Sequence, residues 1–126
     1  MPEGMKAIRA HGYGAPDGLE VEQVPLPKPG PDQVLIHTKA AGVNPGDWKS
    51  RVGMYKQFWP LQFPWTPGID GAGTIESAGA NATQFIKGQA VFGIVVGGYA
   101  EYALAQAGDV QPKPENISFE EAASIP

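Results

Sequence analysis

Ala41-Gly42-Val43-Asn44-Pro45-Gly46-Asp47-Trp48-Lys49-Ser50-Arg51-Val52-Gly53-Met54-Tyr55 spells a strand end, a short helix and a stop in succession. Asn44 is a favoured N-cap, because its side-chain oxygen can accept a free N–H of the first turn. Pro45 suits the first helical position, where no N–H is needed. Asp47 falls in the first turn, where the helix dipole favours an anion. Gly53 supplies the stop. The sequence therefore predicts one short helix displaying Asn44, Asp47, Trp48, Arg51 and Tyr55 at the end of a sheet. Polar and aromatic groups on a loop held by a rigid scaffold are common site material. Asp47 and Arg51 lie one turn apart and are expected to pair with each other, and Trp48 is expected in the core.

The strand feeding this helix is Gln33-Val34-Leu35-Ile36-His37-Thr38-Lys39-Ala40-Ala41. Alternation buries Val34, Ile36 and Ala40 on one face and sets His37 and Lys39 on the other. His37 reads as a solvated strand histidine, and so does His11 in its loop, because neither has a second histidine nearby in sequence. Upstream, Met5–Ala10 and Leu19–Val24 also alternate and are expected to pair as a hairpin across the turn-rich loop His11–Gly18. The prolines of Pro25–Pro31 exclude a central strand there.

Downstream, Gln57–Pro67 is too proline-rich for helix or strand. Its aromatics Phe58, Trp59, Phe63 and Trp65 either line an apolar pocket or anchor an irregular loop, with anchoring favoured. A glycine-laced strand runs over Pro67–Gly79, where glycines mark bulges or close backbone approach. Gln89–Val96 is an apolar strand, Tyr99–Ala105 alternates, and Asp109–Lys113 is at most a short strand. Ser118-Phe119-Glu120-Glu121 is a capping box opening a helix.

Short strands with glycine and proline punctuation read as a mostly β protein, a barrel or sandwich. The 126 residues suit one domain with a proper core. A net charge of −4 without a basic block argues against nucleic acid. No apolar run reaches the length of a membrane span, and no apolar stretch after Met1–Gly4 suggests a signal peptide. The chain has no cysteine, which excludes disulfides and thiolate metal sites and fits a cytoplasmic protein.

Four runs occur in order: Ala40-Ala41-Gly42-Val43-Asn44-Pro45 with Asp47; Pro67-Gly68-Ile69-Asp70-Gly71-Ala72-Gly73 with Ile75 and Gly79; Lys87-Gly88-Gln89-Ala90-Val91-Phe92-Gly93; and Gly97-Gly98-Tyr99-Ala100-Glu101-Tyr102. In this the chain resembles the N-terminal, GroES-like half of the medium-chain dehydrogenase/reductase superfamily, from Met5 to Pro126. The resemblance implies a partly open GroES-like β-barrel with short helices over residues 1–117. Residues 118–126 would start a helix toward a Rossmann domain that this chain does not contain. Zinc-dependent alcohol dehydrogenases carry a metal-binding Cys where this chain has Asn44, and a His-Glu pair where it has Ile69-Asp70. Neither Asn nor Ile supplies the ligands a catalytic zinc wants. The resemblance is therefore to the zinc-free quinone oxidoreductase and enoyl reductase branch.

That branch passes a hydride from NADPH to a quinone or an activated alkene or carbonyl. Such chemistry asks the protein for position and a polar environment rather than acid–base machinery. By position, Asn44 would meet cofactor or substrate, Tyr55 would cap the pocket or assist proton transfer, and Tyr55, Phe58, Trp59 and Phe63 would line it. No metal is expected. A G-x-G-x-x-G run for the dinucleotide pyrophosphate is missing, since Gly12-Tyr13-Gly14 and Gly71-Ala72-Gly73 lack the third glycine. The chain is thus expected to be half of an enzyme, inactive alone, with NADPH held mainly by the other half; a homodimer is compatible with it. Two other classes stay open: a stand-alone GroES-like binding or oligomerisation module, and a membrane-associated superfamily member without activity.

Overall fold

The computed structural model describes residues 4–126. Seven strands and two short helices follow one another: β1 Gly4–Ala10, β2 Leu19–Pro25, β3 Gln33–Ala41, α1 Pro45–Arg51, β4 Asp70–Ala78, β5 Ala90–Ile94, β6 Tyr102–Gln106, β7 Val110–Pro112 and α2 Phe119–Ala123. β1 and β2 pair antiparallel as the expected hairpin, with Met5 opposite Val24 and Ala10 opposite Leu19. The other five form one sheet in the order β6-β3-β4-β5-β7. The hairpin is stitched to that sheet only at points. Ile8 N–H donates to the Tyr99 carbonyl at 2.8 Å, Ala10 N–H to the Trp65 carbonyl at 2.8 Å, and Glu101 N–H to the Lys6 carbonyl at 3.0 Å. The result is the partly open barrel that the resemblance implied. No described helix is long and apolar enough to cross a membrane.

β3 is the spine, paired on both edges and buried on both faces. Val34 and Ile36 join Ile75, Val91, Val95, Ala103 and Val110 in the main core. Leu35 points the other way, into a second cluster with Met5, Ala7 and Tyr102. One-sided burial of this strand is therefore corrected: the hairpin covers the face that would otherwise meet water. The same packing changes His37, which is half-buried with its ring stacked 4.7 Å from that of Tyr102. Ala40 lies beyond an irregularity in the β3–β4 register and belongs to a third cluster, under α2, with Ala72, Ala122 and Ala123. Gly73 shows why the register works. A Cβ there would fall 2.1 Å from the His37 carbonyl oxygen, so only glycine lets β4 approach β3 so closely.

The start of α2 and the end of α1 follow the sequence. Ser118 Oγ accepts the Glu121 N–H at 3.0 Å, and Glu121 Oε1 accepts the Ser118 N–H at 2.9 Å. α1 closes in a Schellman arrangement: Met54 N–H donates to the Lys49 carbonyl at 3.0 Å and Gly53 N–H to the Ser50 carbonyl at 3.1 Å.

Leu35 is fully buried between the hairpin and the sheet. Leu35→Ala is therefore expected to lower stability by about 2–5 kcal/mol, read from urea denaturation midpoints. A loss below about 1 kcal/mol would show that the hairpin does not seal that face.

Candidate functional site

Three parts of the chain converge on Asp47: the start of α1, the turn before β4, and the segment before β6. Asp47 is buried. Its Oδ2 accepts the Asn44 backbone N–H at 2.9 Å and the Tyr99 hydroxyl at 3.2 Å. Its Oδ1 accepts the Gly68 N–H at 3.2 Å. A carboxylate can be buried at tolerable cost only with such a full set of donors. The expected Asp47–Arg51 pair does not form; Arg51 Nη1 donates instead to the Gly14 carbonyl at 2.9 Å, tying α1 to the hairpin loop. Trp48 is about half exposed, not in the core. Asp47 turns inward from the first turn and takes the buried position.

Gly68 makes the convergence sterically feasible. Its φ is +104°, and a Cβ there would stand 2.8 Å from the Gly98 backbone and from the Tyr99 ring. This contact, with Gly98 N–H on the Gly68 carbonyl at 3.0 Å and Tyr99 N–H on the Pro67 carbonyl at 3.0 Å, brings the Tyr99 hydroxyl to Asp47. Burial, and then the Asp47 charge and hydrogen bond, push that hydroxyl up to about 12 from its usual 10.0.

Asn44 is half-buried at the N-terminus of α1. Its amide Nδ2 donates to Asp70 Oδ2 at 2.6 Å, and no side-chain cap hydrogen bond is made. The cap is closed by the Asp47 carboxylate on the Asn44 N–H and by the Asp47 N–H on the Asn44 carbonyl at 3.0 Å. Asp70, buried at the first position of β4, is a site residue the sequence reading did not single out beyond its motif. The available signal was a carboxylate inside an apolar strand, which requires a partner. Tyr99 was missed likewise; the Gly97-Gly98 punctuation before it marked the close approach.

Two hollows lie on either side of Pro67–Ile69. One, about 170 Å³, is lined by Asn44, Asp47, Trp48, Arg51, Pro67 and Tyr99 among others. The other, about 390 Å³ and mostly apolar, includes Trp65, Gly68, Ile69, Val95, Val96 and Leu104. The remaining residues proposed for the pocket are placed elsewhere. Tyr55, Phe58 and Trp59 gather on the turns after α1, with ring centroids 6.3 Å apart for Tyr55–Trp59 and for Phe58–Trp59. Phe58 and Trp59 are largely exposed and line neither hollow, because the turns carry them outside the sheet. Phe63 packs edge-on against Tyr13 at 4.9 Å, an anchor for the loop. Asn44 and Tyr55 are thus brought to the two ends of one helix rather than to one hollow.

Among the described residues, the one grouping of three metal-ligand side chains is His11, Glu20 and Glu22, exposed or half-buried on the hairpin. His11 Nε2 lies 2.5 Å from Glu22 Oε2, so His11 is a paired rather than a free loop histidine.

The family described as the alcohol dehydrogenase GroES-like domain matches residues 30–115. The human quinone oxidoreductase is 44% identical over 126 residues, 96% of this chain and 37% of that protein. The solved quinone oxidoreductase of Coxiella burnetii superposes with a TM-score of 0.87 at 32% identity, over 98% of this chain and 41% of that one. A mycobacterial protein solved in complex with NADPH has a TM-score of 0.87 at 34% identity, over 95% of this chain and 36% of that one. The chain thus spans well under half the length of these relatives.

Removing the Tyr99 hydroxyl (Tyr99→Phe) is expected to cost about 1 kcal/mol, and Asp47→Ala on the order of 3 kcal/mol, since it strands buried donors. The raised Tyr99 hydroxyl contributes stability that is fully present below its ordinary value of 10.0 and lost as pH climbs through about 12. The gap between wild type and Tyr99→Phe, followed by urea denaturation across alkaline pH, should therefore narrow in that window. A gap independent of pH would contradict the Asp47–Tyr99 bond.

Proposed function

The chain belongs to the alcohol dehydrogenase GroES-like domain family, and from that membership we propose that it is the substrate-side domain of a zinc-independent, NAD(P)H-dependent oxidoreductase. The reaction is reduction of a quinone, or of an activated alkene or carbonyl, by hydride transfer. In this reading residues 1–117 form the catalytic-side barrel, and residues 118–126 lead toward a dinucleotide-binding domain. The setting is cytoplasmic, which the lack of cysteine fits.

The observation that carries this reading is the 2.6 Å hydrogen bond between Asn44 and Asp70. Asn44, Ile69 and Asp70 stand where the zinc-dependent branch places its metal ligands. Here an amide and a carboxylate satisfy each other beside an alkyl group, and no thiolate or imidazole is at hand. That donor set suits neither a catalytic zinc nor the water it would activate.

For the nicotinamide cofactor the fit is partial. With one Nδ2 hydrogen given to Asp70, the Asn44 carbonyl oxygen stays available to accept from the nicotinamide carboxamide, and the second Nδ2 hydrogen to donate to an acceptor oxygen. The α1 N-terminus does not offer a phosphate site, because Asp47 already fills its first turn. The cofactor supplies the hydride when bound, and this chain supports its nicotinamide end while the pyrophosphate is held elsewhere. The apolar hollow beside Ile69, Val95 and Leu104 suits a flat, uncharged acceptor. Asn44 positions and polarises, and Tyr55 closes the rim of the cleft.

The test uses a longer protein that contains this chain. Asn44→Ala and Tyr55→Phe should each reduce turnover by on the order of tens- to hundreds-fold, as loss of one pre-organised polar group does. Asn44→Ala also leaves buried Asp70 without this donor and should lower stability by about 1–3 kcal/mol. Turnover within about twofold of wild type for both variants, with melting temperature alone affected, would make α1 scaffold only.

A further inference from the structure

Asp70 is a buried acid whose place is set by the backbone around it. It is 5% exposed, at the first position of β4. The Gly42 N–H donates to its carbonyl at 3.0 Å, and a Cβ on Gly42 would stand 3.1 Å from Asp70 Cβ and 3.2 Å from its Oδ2. A side chain at residue 42 would crowd the carboxylate, and glycine there gives it room. Among the described residues neither ion pair includes Asp70, and the side chain that donates to it is Asn44. A buried carboxylate with so few donors holds strongly to the one it has.

Asn44 is held on both sides. Its main chain is fixed by Asp47, which accepts the Asn44 N–H at 2.9 Å and donates its own N–H to the Asn44 carbonyl at 3.0 Å. Its side chain is fixed by the 2.6 Å bond from Nδ2 to Asp70 Oδ2. An amide held in this way keeps one freedom, a half-turn that exchanges oxygen for nitrogen. A carboxylate accepts and cannot donate, so the turned amide would press Oδ1 on Oδ2 with no hydrogen between them. Asp70 thus admits one orientation of the amide. A neutral partner such as asparagine or serine both donates and accepts, and would admit two.

We propose, resting on the place given above to Asn44 at the nicotinamide, that Asp70 is a positioning residue that selects which end of the Asn44 amide meets the coenzyme. The orientation it enforces turns Oδ1 away from Asp70, toward the amino group of the carboxamide. Asp70 acts through Asn44 alone. Its effect is to make the site prefer a nicotinamide-type ring that carries a hydrogen-bond donor at that position.

The experiment measures dissociation constants of NADPH and of its 3-acetylpyridine analogue, in which a methyl group replaces the amino group of the carboxamide. It uses a longer protein that contains this chain, without acceptor, and reads the quenching of tryptophan emission. The two coenzymes carry the same charge and the same phosphates, so the ratio of their constants isolates the carboxamide. Wild type should favour NADPH. Asp70→Asn and Asp70→Ser should each lower that preference by about threefold or more, and Asn44→Ala by at least as much. Adding Asp70→Asn to Asn44→Ala should change it by less than about twofold, since the two residues act as one unit. Circular dichroism melts establish that each variant is folded. A merely structural Asp70 would weaken both coenzymes alike and leave the ratio unmoved. A preference that stays within about threefold of wild type in the folded Asp70 variants, while Asn44→Ala lowers it, overturns the role of Asp70 and leaves Asn44 in place. So does a further loss in the double variant. A ratio unmoved by Asn44→Ala, or no NADPH binding by wild type, removes Asn44 from the nicotinamide and overturns both.

Discussion

A buried carboxylate has to be given its donors, and Asp47 takes them from three separate parts of the chain. The Asn44 N–H comes from the start of α1, the Gly68 N–H from the turn before β4, and the Tyr99 hydroxyl from the segment before β6. Each is useless to the others without the charge at the centre, because a buried, unpaired N–H or hydroxyl costs more than a satisfied one contributes. This constraint orients α1, brings the Gly68 and Gly98 backbones into contact, and sets Asn44 beside Asp70. The five-stranded sheet supplies the platform; Asp47 decides how the loops at its end are arranged.

That arrangement links fold to function. Asn44 Nδ2 donates to Asp70 Oδ2 at 2.6 Å, so the buried carboxylate and the amide already hold one another. Beside this pair lies the hollow of about 170 Å³ that Asn44 lines, and across Pro67–Ile69 an apolar one of about 390 Å³. In the proposed reading such a site positions reactants, and a cofactor supplies the reactive electrons. The family membership and the quinone oxidoreductase relatives are in keeping with that division of labour.

Much of the fold is legible in the sequence because local rules and tertiary packing agree. β3 runs over Gln33–Ala41 as its alternation predicts, Gly53 ends α1, and Ser118 and Glu121 cap α2 reciprocally. The departures have physical causes. Leu35 is buried because a hairpin distant in sequence covers it, which periodicity within one strand cannot reveal. Trp48 faces out and Asp47 in because three donors outside the helix outweigh the hydrophobic preference of its neighbour. The site was half visible. Asn44 was identified from its cap position and family motif, but its partner Asp70 lies 26 residues away. Tyr99 is 52 residues from Asp47 and becomes a partner only through the close approach of two glycines. Phe58, Trp59 and Phe63 read as one aromatic group in sequence, yet the proline-broken backbone sends two outward and one against Tyr13.

The central claim is that the site works by positioning for hydride transfer without a metal. The most direct measurement is acceptor-dependent oxidation of NADPH by a longer protein containing this chain, before and after exhaustive chelation. The account predicts oxidation that requires a quinone or an activated alkene or carbonyl and is unchanged by the chelator. Activity abolished by chelation and restored by zinc would contradict it, as would the absence of acceptor-dependent oxidation with either acceptor class.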